Sequence, residues 1–446
     1  MRATSSARSI PSLAGLLVDP RVGLIRDVTP VRRQAGGPAF FHSSARLCNM
    51  AALGWQVPPV RLDGAAADPE RATEKAISEA LRFYCAAFYS PEELVLTTSD
   101  EAPFPHAPPA AFALYAPQQY QQPDFPWAPF TGQSRIRWVP AMDLDTGTPC
   151  HVPAAMAYLP YTQRPESGEA RIVPHSSTGL AFASGPDEAA VTALCDAIRD
   201  DALSITWLAR LAPPHIRVET LSDQAYELVS RFESSVGSLT LLDLSTDLGV
   251  PVVLAALRST SPGSPALVFA GGAAPSPEDA VLSALEELAV VLRYSQEIST
   301  HLPPLQPAEG HVNVTHQVAH LLFWSDPAHA PLADFLFSSR ERIEFDALPG
   351  LPPAPPAELR RRLADRLQEA GLRALLADLT TPDLRALGLR VVRAVVPGLH
   401  PLLIGHTHRA LGGTRLQEVP RLLAGRGITS HGENPAPHPY LNKGVL

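Results

Sequence analysis

The chain has 446 residues, 45% of them hydrophobic, and a formal net charge of −9. That length supplies core enough for one large domain or two to three smaller ones, and mild acidity without a long basic stripe argues against nucleic acid as a partner. Cys48, Cys85, Cys150 and Cys195 are too far apart for a metal finger, which points to reduced thiols in a cytoplasmic protein. No apolar run is long enough to cross a membrane. Residues 1–21 contain arginines, but their apolar run is short and no cleavage pattern follows, unlike a signal peptide.

In chain order, Asp68-Pro69-Glu70 is a helix start, with a cap residue and then proline in the first turn, and apolar residues recur at helical spacing over 69–87. Residues 102–130, rich in Pro, Phe, Tyr and Gln, read as a long loop whose aromatics seek burial. "IRWVPAMDL" reads as a strand, "DTG" as a turn and "PCHVPAAMAYL" as a second strand. A second helix opens at Pro186 and runs over 187–210. "GSLTLLDLSTDLGVPVVLAALRS" is strand, turn, strand, and a third helix spans 277–298 after Ser276-Pro277. "PPAPP" at 352–356 is a rigid break, 357–377 an Arg-rich amphipathic helix and "LRVVRAVVPGL" a strand; the tail "NPAPHPYLNKGVL" is extended, with proline at alternate positions. Strand pairs alternating with long helices predict an α+β fold with β-sheets packed by helices. The expected division is a core over 1–350, holding the three long helices, and a C-terminal part over 357–446 that includes the tail.

The order of "LLVDPRVGLI", "HSSTGLAFASGPDEAAVTALCDAIRDDA", "DLSTDLGVPV", "VVPGLHPLLIGHTHRALGGTRLQEVP" and "PAPHPY" resembles the YcaO superfamily, in its azoline-forming cyclodehydratase branch, over about residues 12–440. The resemblance implies ATP and Mg²⁺, a ribosomal precursor peptide as substrate, and closure of Cys, Ser or Thr onto the preceding carbonyl to give a thiazoline or oxazoline. It implies a leader-binding partner protein, since the N-terminus is expected to run straight into the fold, and by analogy a homodimer. It also assigns a catalytic role to the tail prolines Pro435, Pro437 and Pro439, although "YLNKGVL" follows the last of them.

The resemblance places the nucleotide and metal residues on Lys75, Glu79, Arg82, Ser177, Thr178, Asp196, Arg199 and Glu287, with Glu79, Asp196 and Glu287 as metal ligands if Mg²⁺ binds. Each motif departs from the family pattern. In Ser-x-x-x-Glu-x-x-Glu-Arg, the Ser falls on Lys75, the second Glu on Arg82 and the Arg on Phe83. In Glu-x-x-Glu-Arg-Asp-Ala, the residues are Asp196, Arg199, Asp200, Asp201 and Ala202. In the third motif, Glu287 stands but its Gln partner falls on Val290 or Val291. Arginine has five donors and no acceptor, so it cannot ligate Mg²⁺. Either Arg82 and Arg199 bind a phosphate or carboxylate in the metal's stead, or Arg82 pairs with Asp196 or Glu79, and Arg199 with Glu287, to close an empty cleft.

Other constellations are read more plainly. His406 and His408 alternate as on a strand with both rings on one face. His311, His316 and His320 suggest a helical run, but no acid stands between them to complete a metal site. Gly271-Gly272 reads either as a phosphate-cradling turn or as a tight turn needing φ > 0, and Ser177-Thr178-Gly179 as a cleft loop or ordinary turn chemistry. Cys85 and Cys195 fall on buried helical stripes. Three functions stay open: a non-catalytic scaffold or activator of an intact YcaO enzyme, with no cofactor; an active ATP-dependent cyclodehydratase; and a changed reaction without ATP.

Overall fold

A computed structural model of the chain describes residues 15–34, 37–53, 61–112, 114–259 and 263–439. "YLNKGVL" and most of the first 21 residues therefore lie outside the described residues. The strands are β1 (Ile25–Val31), β2 (Phe41–Leu47), β3 (Arg61–Ala66), β4 (Val95–Thr97), β5 (Ile136–Asp143), β6 (Pro149–Pro153), β7 (Leu180–Ala183), β8 (Leu211–Ala212), β9 (His215–Ile216), β10 (Ser238–Asp243), β11 (Val252–Arg258), β12 (Leu267–Ala273), β13 (Arg342–Ile343), β14 (Leu375–Asp378), β15 (Arg390–Val395) and β16 (Thr429–Ser430). The main helices are α1 (Pro69–Ala87), α2 (Pro186–Leu208), α3 (Asp223–Glu233), α4 (Pro277–His301), α5 (Gln317–Ser325), α6 (Pro356–Glu369) and α7 (Arg415–Ala424).

The helices start where the cap chemistry says. The Asp68 carboxylate accepts from Arg71 N at 2.9 Å, and the Ser276 hydroxyl accepts from Asp279 N at 3.1 Å, each satisfying an orphan N–H of the first turn. Pro186 opens α2 with Asp187 and Glu188 behind it, acids that suit the positive end of the helix.

The sheets run β1-β2-β3, β12-β11-β10-β9-β13 and β4-β5-β14-β15-β7 with β6 on β5, and β8 pairs β16. Strands from residue 375 onward thus complete the sheet begun by β4 and β5. β15 runs antiparallel to β7, setting Arg393 opposite Leu180. Two glycines let helices settle on strand backbone. A Cβ on Gly64 of β3 would lie 2.5 Å from Ala72 O and Ala76 N of α1, and one on Gly272 of β12 would lie 2.1 Å from Ala280 O of α4.

Several expected boundaries shift. "PCHVPAAMAYL" is strand only to Pro153, and Ala154–Ala157 is a helical turn. The Arg-rich helix ends at Glu369, because 375–378 are needed as β14. Gly271 and Gly272 sit inside β12, paired with Leu254 and Val253, so neither is a turn; the second is small because α4 presses on it. His406 and His408 lie in a 3₁₀ turn, not on a strand, and only His406 is buried. His311, His316 and His320 do not share a helix. His311 has φ 56°, His316 caps α5, and His320 is buried within α5. Cys85 and Cys195 are buried as expected, and all four cysteines are free.

Candidate functional site

The residues at which the three motifs fall meet where α1, α2, α4 and the start of β7 converge. On α1, Arg82 is 5% exposed, forms an ion pair with Glu79 one turn back, and donates from Nη1 to Leu180 O at 3.3 Å. On α2, Arg199 Nη1 lies 3.2 Å from Asp196 Oδ1, and its Nη2 donates to Asp200 Oδ1 at 2.5 Å. The loop 176–179 closes the floor: Thr178 Oγ1 donates to Asp200 Oδ2 at 2.6 Å, and Gly179 N donates to Asp196 Oδ2 at 2.7 Å. Ser177 contributes only its carbonyl, which accepts from Leu180 N at 3.1 Å.

On α4, adjacent glutamates divide the work. Glu286, 3% exposed, binds α1 through Arg71 Nε at 3.0 Å and Lys75 Nζ at 2.6 Å. Glu287 faces the cleft and has no hydrogen bond or ion pair among the described residues. Its burial, and then the charge of Glu79, push its carboxyl up to about 7, against the opposing pull of Lys75, Arg199 and Arg82.

Of the pairings left open by the sequence, Arg82 with Glu79 is present. Arg199 turns to Asp196 and Asp200 instead of Glu287. Glu286 and Arg393 belong to the same neighbourhood and were not anticipated, and Asp200, which the second motif includes, was given no role there. "EE" and "RDD" do not tell which acid faces which way until helix phase is known. Phe83, where the family has arginine, is 1% exposed in the core, and Val290 and Val291 are buried too.

The tail docks elsewhere. Asn434 is 1% exposed; its Nδ2 donates to Trp207 O at 3.0 Å, and Trp207 Nε1 donates to Ala436 O at 3.2 Å. His438 stacks on His320 and bonds Leu403 O at 2.7 Å. Pro437 and Pro439 are buried and Pro435 is exposed. Trp207 lies eight residues beyond Arg199 on α2, roughly 12 Å along the helix. The tail makes no hydrogen bond to the motif side chains among the described residues.

Magnesium needs several oxygen ligands in near-octahedral array. Here Glu79 is paired with Arg82, and Asp196 with Arg199 and the Gly179 amide, while Glu287 has no such partner among the described residues. Among the described residues no group of three or more His, Cys, Asp or Glu is placed to hold a metal, and no helix is long and apolar enough to cross a membrane.

A relative from Methanothermobacter thermautotrophicus, itself an uncharacterized protein, is 28% identical over 276 residues, covering 60% of this chain and 66% of the relative. A heterocyclase solved in complex with substrate and cofactor superposes with a TM-score of 0.75 at 20% identity, over 95% of this chain and 56% of that one. YcaO from Methanopyrus kandleri, solved with AMPPCP and Mg²⁺, gives 0.65 at 21% identity over 91% of each chain. At such identities the structures establish the shared fold. This chain thus spans just under two thirds of the first relative and little over half of the first structure. The family described as YcaO cyclodehydratase, ATP- and Mg²⁺-binding, matches residues 63–400, three quarters of the chain. The chain belongs to the YcaO family.

Proposed function

We propose that this protein is a component of azoline-forming peptide modification whose cleft does not take Mg–ATP, and that it serves as a non-catalytic scaffold or partner of an intact YcaO enzyme acting on a ribosomal precursor peptide. The observation that supports this reading is the pairing of Arg82 with Glu79 and of Arg199 with Asp196 and Asp200. Acids at these positions are neutralised by neighbours on their own helices. A divalent cation would have to displace two guanidinium groups that are nearly out of water, and would meet their repulsion.

The test is calorimetric titration with a non-hydrolysable ATP analogue, with and without Mg²⁺. The expected result is no metal-dependent heat; micromolar binding that requires Mg²⁺ would overturn the reading.

One observation favours the alternative of an active ATP-dependent cyclodehydratase: Glu287 faces Lys75, Arg82 and Arg199 across the cleft and makes no hydrogen bond or ion pair among the described residues. The titration of the natural chain separates the two, and Arg82→Glu then asks whether a missing ligand is all that the cleft lacks. If it alone creates Mg²⁺-dependent binding, the cleft lacks only a ligand. Adding Phe83→Arg is not a fair test, since it would place a cation among the core side chains around Phe83. A leader-binding partner, a homodimer and a cytoplasmic location belong to the same proposal.

A further inference from the structure

Beside the motif cleft, a cavity of about 90 Å³ lies between β15, the 173–178 loop and the 398–403 loop. At ~10–15 Å³ per water, that is room for roughly six or more waters, or for a group of a few heavy atoms. Its wall is mostly apolar, with Phe112 and Met156 among the lining side chains, and its polar members are Ser176, Thr178, His400 and Arg393.

Arg393 is 3% exposed. Its Nη2 donates to Ser176 O at 2.7 Å, while Nε and Nη1 have no partner, and no acid stands within ion-pair distance of it among the described residues. Neighbouring charges are already matched: Asp200 by Arg199, and Arg82 by Glu79. Burial, and then the charge of Arg82, lower the Arg393 pKa to about 9, which records the cost of keeping this cation dry. A buried charge with one neutral acceptor is a strongly unfavourable arrangement unless something else completes it.

We infer that this cavity is a binding site for a small monoanion, a carboxylate on a short aliphatic stem, with Arg393 as its counter-charge. The remaining polar groups select a single negative charge. The Thr178 hydroxyl is spent on Asp200, and the Ser176 hydroxyl on Leu402 O at 3.3 Å. His400 bonds Ala410 O through Nε2 at 2.7 Å, and burial holds it below the ordinary imidazole range, so it adds no second cation. A dianionic phosphate would therefore find one positive charge and few donors, whereas a carboxylate meets a matching charge and its stem meets Phe112 and Met156. The carboxylate can come from a free short-chain acid or from a peptide's C-terminus, and this inference does not depend on the scaffold reading.

The test is thermal unfolding of the full chain with sodium butyrate, an N-acetylated pentapeptide with a free C-terminus, the same peptide as its C-terminal amide, and inorganic phosphate, at matched ionic strength. The expected result is a dose-dependent rise of several degrees in Tm with butyrate, with the free-acid peptide but not its amide, or with both. Butyrate alone identifies a small acid, and the peptide identifies a chain terminus. Arg393→Met is expected to raise Tm without ligand and to abolish the response, whereas a merely structural arginine would lower Tm on removal. Ala155→Leu, which fills the apolar side of the cavity without altering charge, is expected to lose the response and serves if Arg393→Met does not fold. No shift with any carboxylate, an equal shift with phosphate, or an undiminished shift in the variants overturns the inference.

Discussion

The motif cleft and the neighbouring cavity both bury arginine, and they treat it in opposite ways. In the cleft, Arg82 and Arg199 each sit within one helical turn of an acid on the same helix, so their charges are balanced as soon as the helix forms. In the cavity, Arg393 stands on a strand whose neighbours are valine and alanine, and among the described residues a carbonyl is its one hydrogen-bond partner. The difference shows that desolvation alone does not define a functional site. The informative quantity is how much of a buried group's bonding capacity the fold leaves over.

The largest expected effect tests the balanced side of that contrast. Asp200→Ala removes an acceptor of both Arg199 and Thr178 and leaves a buried cation underpaired. It should cost about 3–5 kcal/mol in urea unfolding at neutral pH. Arg393→Met should instead be stabilising, by up to about 4 kcal/mol. Equal losses from the two substitutions would erase the distinction between the regions.

Histidines extend the comparison to groups that can shed their charge. His406 is held down at about 3, by burial and then by Arg409, and His42 at about 4, by burial and then by Arg293. Both folded values lie below the unfolded value near 6.5, so the unfolded chain binds more protons in that window. Stability should be complete above pH 6.5 and fall as the pH drops from there towards 4, by on the order of 2–3 kcal/mol per histidine. A urea midpoint that is flat between pH 7 and 4 would break this account.

A smaller effect belongs to packing. Gly272→Ala forces a methyl against Ala280 O and should cost about 1–3 kcal/mol. As a floor, Arg361→Ala on exposed α6 removes contacts to Glu358 and Asp365 that water already screens, and the same measurement should show no resolvable change.

Much of the scaffold was legible in the sequence because local rules sufficed. Asp68 and Ser276 mark helix starts by their own hydrogen bonds, and the strand pair around residues 238–258 follows from its apolar runs. The one-turn spacing of Glu79 and Arg82 made their pairing legible, whereas Arg199 was expected to meet Glu287 and pairs with Asp196 on its own helix. What stayed hidden depended on contacts distant in sequence. Nothing local tells that Glu286 faces α1 while Glu287 faces the cleft, or that α4 presses on Gly272 and makes a strand residue look like a turn. Arg393 was lost inside an apolar strand pattern, where it shares a face with Val391 and Val395 and nothing marks its charge as buried.

The two glycine seats have a mechanical consequence. Because α1 rests on Gly64 and α4 on Gly272 with no side chain between backbone and backbone, neither helix has a compressible layer beneath it. Sliding or lifting of these helices against their strands is therefore stiff, because each movement would drive backbone into backbone.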